Sequence, residues 1–66
     1  MDERQFMSAM ETVVTALKER GYDPYAQLTG YVTENEPTYI TSHKGARQLI
    51  VTLEMERVKR FVKEMK

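Results

Sequence analysis

The stretch LKERGYDPY, residues 17–25, is the strongest constraint this chain places on its own fold. Lys18 and Arg20 suit the negative end of a helix. Gly21 can follow a helix C-terminus in the left-handed conformation such ends commonly need. Asp23-Pro24 then reads as a helix start, because aspartate caps free N–H groups. Proline at the first helical position also has a preset φ and lacks only an N–H that would be unpaired anyway. A stop and a start this close leave room for a tight turn only, so two separate helices must flank it.

Upstream, Phe6, Met10, Val13 and Leu17 recur at spacings of four, three and four, one apolar stripe on a helix over residues 3–20. Met7, Ala9, Val14 and Ala16 widen the stripe. Downstream, Tyr25, Leu28, Tyr31 and Val32 share one face of a second helix over 24–35. It must stop before Pro37, since the residue preceding proline is pushed out of the α region. Gly30 lies in its middle at a cost of about 1 kcal/mol against alanine, which marks a close approach by another backbone. The rival arrangement is a hairpin at 30–41 between two helices, because residues 30–33 and 38–41 are rich in β-branched and aromatic side chains. The linking Glu34-Asn35-Glu36-Pro37 lacks the turn chemistry of a tight hairpin.

Thr41 or Ser42 can cap a third helix over 42–65, about 36 Å long at 1.5 Å per residue. Ala46, Ile50, Leu53 and Phe61 form one apolar line along it, and Val51, Met55, Val58, Val62 and Met65 a second. Two lines exceed what is needed to cover two short helices, so the surplus calls for a second chain. Length presses the same way. A 66-residue chain buries only about 60% of its unfolded surface, and with no cysteine and one histidine it has neither disulfides nor a metal cluster to add. The predicted fold is all-α, one domain of three helices over residues 1–66, assembled as a small helical homodimer. Ile50, Leu53, Val58, Phe61, Val62 and Met65 are the interface candidates.

Net charge is zero, but it is divided unevenly. Residues 1–36 carry three basic and seven acidic side chains, and residues 37–66 the reverse. An acidic front and a basic back can attract each other within or between chains. The acidic half argues against a broad phosphate footprint and so against nucleic acid as partner. No apolar run is long enough to span a bilayer, and MDERQF is acidic where a secretory signal would be basic. A cytoplasmic protein with no membrane contact is expected.

No catalytic constellation is visible. His43 has no nucleophile or orienting acid beside it in the sequence, and no HExxH, CxxC or phosphate-cradling glycine loop occurs. The expectation is no enzyme, no cofactor and no metal. One cluster is chemically odd: His43, Lys44 and Arg47 fall in the first turns of the third helix, where the dipole is already positive. With Thr41 and Ser42 they resemble an anion-binding helix start, open to a phosphorylated or acidic peptide, or to a small anionic ligand or nucleotide. The plainer alternative is that these basic chains lean into solvent. Tyr22, Tyr25, Tyr31 and Tyr39 offer a surface for a protein partner, or fillers for a small core.

Gly21-Tyr22, Pro24, Gln27-Leu28, Gly30-Tyr31-Val32, then PTYITSH at 37–43, Ala46-Arg47 and Leu49-Ile50 closely resemble the IreB family of small regulatory phosphoproteins from Gram-positive bacteria. The resemblance covers about half the chain. It implies a helical homodimer without enzymatic activity, acting as a substrate of a membrane Ser/Thr kinase with PASTA domains and influencing envelope stress and β-lactam tolerance. The family's phosphoacceptor threonines lie ahead of the first helix, whereas here Ser8 is the first hydroxyl residue. Thr38, Thr41 and Ser42 are therefore the candidate phosphoacceptors, where added charge would fall at a helix start.

Overall fold

The computed structural model describes residues 1–65, and these contain four α-helices and no strand. Helix α1 spans Glu3–Glu19, α2 spans Pro24–Glu34, α3 spans Ala46–Ile50 and α4 spans Met55–Glu64. Two single 3₁₀ turns, Pro37–Tyr39 and His43–Gly45, lie between α2 and α3. The hairpin alternative is thereby excluded.

Asp2 starts α1 with a capping box: its carboxylate accepts from the Gln5 N–H at 2.8 Å, and the Gln5 side chain accepts from the Asp2 N–H at 3.2 Å. The predicted stripe is buried, joined by Ala9 and Ala16, while Met7 faces solvent. At the other end Gly21 takes φ +82°, with Tyr22 N–H bonded to Leu17 C=O and Gly21 N–H to Lys18 C=O, the paired pattern of a Schellman stop. Asp23 then caps α2 by accepting from Tyr25 N–H at 3.0 Å, and Asn35 ends it in the left-handed region. Leu28 and Tyr31 face the core and Tyr25 and Val32 flank it.

The third helix does not run from 42 to 65. Left-handed backbone at Lys44 and Gly45 delays its start to Ala46. The β-branched run Ile50-Val51-Thr52 favours helix weakly, and the Thr52 hydroxyl donates to Leu49 C=O at 2.7 Å, closing a turn. Glu54 is extended, and α4 begins after it. A continuous helix would be about 36 Å long, but the longest extent of the folded chain is 28 Å. Breaking it lets Leu53 turn inward and α4 fold back against α2.

That break changes what covers the apolar lines. Ile50, Leu53, Val58 and Val62 are all buried within a single chain, and Phe61 and Met65 pack against the same core. Most of the apolar surface that called for a second chain is thus covered from inside, while Val51 stays exposed. Phe6 and Phe61 meet edge to face at 6.3 Å between centroids, and the Arg57 guanidinium sits 5.4 Å over the Phe6 ring. Arg57 also donates to the Met1 carbonyl at 3.0 Å, tying the start of the chain to α4. No helix among the described residues is long and apolar enough to cross a membrane.

Candidate functional site

The connection between α2 and α3 holds most of the residues singled out from the sequence, and Tyr39 is its hub. Extended backbone between helices lacks ladder partners and must find them in side chains. Gln27 on α2 donates its amide to the Tyr39 carbonyl at 2.8 Å, and Arg47 on α3 donates Nε–H to the Ile40 carbonyl at 2.9 Å. The Tyr39 hydroxyl donates to Glu34 at 2.8 Å, and that carboxylate raises the phenol above the ordinary tyrosine range. Between those anchors the ring packs against Gly30, so close that a Cβ there would sit 2.5 Å from Cε1. The close approach expected at Gly30 is real, but a side chain makes it rather than a backbone.

A second contact ties the connection to the end of α1. Lys44 Nζ lies 3.0 Å from Glu19 Oε1 and donates to Oε2 at 3.2 Å, while His43 Nε2 lies 3.0 Å from Oε1. The hydrogen bond from Lys44, then that from His43, lowers the Glu19 carboxyl below its ordinary value. Lys44 takes φ +55°, a conformation costing a non-glycine residue about 1–2 kcal/mol. His43 and Lys44 thus stand ahead of α3 in a 3₁₀ turn and not in the first turns of a long helix. For these two the predicted conflict with the helix dipole does not arise, and Glu19 faces both groups; Arg47 alone of the three lies in the first turn of α3.

The remaining candidates separate. Tyr31 is in the core, its phenol raised by burial, and Tyr22 stays exposed. The Thr38 N–H and hydroxyl both donate to Glu36, and the Thr41 hydroxyl accepts from His43 N–H at 3.1 Å. Ser42 is exposed and makes no capping bond. Four partners escaped the sequence reading of this site: Glu19, Gln27, Glu34 and Glu36. Glu34 and Tyr39 are five residues apart and Glu19 and Lys44 twenty-five, so no helical spacing announces either pair. Gln27 stood among the family-like positions, without a role. Among the described residues no group of three or more His, Cys, Asp or Glu side chains could hold a metal ion.

Gln27, Gly30, Tyr39, Ile40 and Arg47 of this internal clamp are among the positions that carried the family resemblance, and the comparison with known families bears it out. The family model described as IreB regulatory phosphoprotein matches residues 1–65. The chain belongs to the IreB family. A relative, the UPF0297 protein of Lachnoclostridium phytofermentans, is 43% identical over 49 residues, covering 74% of this chain and 56% of the relative. The matched stretch therefore spans just over half of that relative's length. IreB membership makes this a small protein of a regulatory phosphoprotein family. Within PTYITSH, Tyr39 and Ile40 supply the two carbonyls that Gln27 and Arg47 hold, and Tyr39 supplies the ring over Gly30.

Proposed function

We propose that this chain is a non-catalytic regulator that acts by contact with protein partners, in Ser/Thr kinase-linked control of envelope stress or antibiotic tolerance. The observation that carries this is the family match across residues 1–65. The clamp supports it from another side. Gln27, Glu34, Tyr39 and Arg47 are tied to neighbouring groups of the chain itself, as expected of a scaffold that presents a surface.

Within this proposal Ser42 is the best placed phosphoacceptor of the three candidates, being exposed and free of the side-chain hydrogen bonds that occupy Thr38 and Thr41. A phosphate there would compete with Glu19 for Lys44 and His43. The homodimer stays part of the proposal on the family resemblance alone, and light scattering during size-exclusion chromatography measures it. The functional test has two arms: mass mapping after incubation with the source organism's membrane Ser/Thr kinase and ATP, and β-lactam susceptibility after deletion of the gene. Phosphate incorporation with altered susceptibility is expected. An unmodified chain together with unchanged susceptibility rejects the proposal.

A further inference from the structure

A groove runs between α2 and α4. It has a volume of about 460 Å³ and is walled by Tyr25, Thr29 and Val32 from α2 and by Lys59, Val62 and Lys63 from α4. Of these, Val62 is buried, Tyr25 and Val32 are half-buried, and both lysines are exposed. The α2 wall contributes no charge, so the groove's charges are the two ammonium groups. Lys59 and Lys63 stand one helical turn apart, where like charges oppose helix formation. The ion pairs found among the described residues use Glu19 and Glu54 and involve neither lysine.

We propose that this groove is a docking site for an acidic peptide segment of a partner protein. Carboxylates one turn apart on the partner would engage Lys59 and Lys63, and an apolar side chain between them would enter over Val62 and Val32. Charge complementarity selects this occupant. A lipid surface is recognised by clusters of four to eight basic residues, and nucleic acid by many phosphate contacts. Arg57 and Arg60 of the same helix line a separate depression beside Glu3 and Glu64, so the groove itself presents two lysines beside an apolar concavity. These match neither, but match a short amphipathic acidic segment. The proposal rests on the reading of this chain as a protein-binding regulator and names the chemistry of the partner.

The test is a ¹⁵N-edited NMR titration of the whole chain with the blocked hexapeptide EELFEE, up to millimolar concentration. Expected are shifts confined to Tyr25, Thr29, Val32, Lys59, Val62 and Lys63. The double variant Lys59→Gln, Lys63→Gln is expected to weaken binding about tenfold. It should fold normally, because glutamine matches lysine in helix propensity and the like-charge pair is removed. Lys18→Gln on α1 should leave affinity unchanged. Three results overturn the proposal: no groove-localised shifts, shifts spread equally over all basic residues, or groove shifts that grow with protein concentration without peptide, which would place a second copy there. Any of them leaves the kinase and susceptibility assays to decide the broader function separately.

Discussion

The ring of Tyr39 occupies the space that a side chain on residue 30 would need, with Cε1, Cδ1 and Cζ at 2.5, 2.6 and 2.9 Å from the position of a Cβ. Helix propensity alone would make Gly30→Ala stabilising by about 1 kcal/mol. The ring cannot yield cheaply, because its hydroxyl is held by Glu34 and its backbone carbonyl by Gln27. Gly30→Ala is therefore expected to destabilise by about 1–3 kcal/mol, read from urea unfolding midpoints. In a Tyr39→Ala background the same substitution should become neutral or stabilising.

Arg47 is expected to be a structural residue first. Its Nε–H satisfies the carbonyl of fully buried Ile40, and a carbonyl left unpaired in a buried setting costs about 1–3 kcal/mol. Arg47→Ala should lower the urea midpoint by an amount in that range. Arg47→Lys should not restore it, since a flexible ammonium lacks the planar fork.

Glu19 gives the fold a pH dependence of known sign. Its carboxyl is lowered from 4.5 in the folded chain by Lys44 and His43. A carboxylate depressed on folding adds stability above its unfolded pKa and loses it as pH falls through the folded one. The Tm of the wild type should thus fall more steeply than that of Glu19→Gln between about pH 6 and pH 3. Added salt should shrink the difference, because the pair is exposed.

Thr29 carries a buried hydroxyl with no hydrogen-bond partner among the described residues. Removing such a group at constant shape recovers its desolvation cost. Thr29→Val, nearly equal in helix propensity, should raise the stability measured by urea unfolding by about 1 kcal/mol.

The break between α3 and α4 separates two neighbours sharply. Val51 is 51% exposed and Leu53 only 6%. Val51→Asp should change stability by no more than about 0.5 kcal/mol, whereas Leu53→Ala should cost about 2–5 kcal/mol. A single rod clasped to a second copy would make both positions sensitive to substitution.

Much of this was legible in the residues themselves. The stripe Phe6, Met10, Val13, Leu17, the stop at Gly21 and the start at Asp23-Pro24 are local signals, set by helical period and by backbone chemistry within a few residues. They produced α1 and α2 nearly as observed. The family resemblance through PTYITSH was equally readable, while the jobs of those residues were not. Tyr39, Arg47 and Lys44 act on Gly30, Ile40 and Glu19, between 7 and 25 positions away, and no periodicity links such pairs.

By itself the sequence favoured an all-helical chain and determined the faces its first two helices bury, because those depend on neighbours three or four residues apart. Tertiary structure alone decided that the C-terminal half would be two helices. An unbroken helix over 42–65 satisfies every local hydrogen bond, yet it is too long for a body 28 Å across and would leave its apolar lines wet. Folding α4 back brings Val58 and Val62 into the core, and burial of that surface outweighs the few helical hydrogen bonds given up at Val51–Glu54.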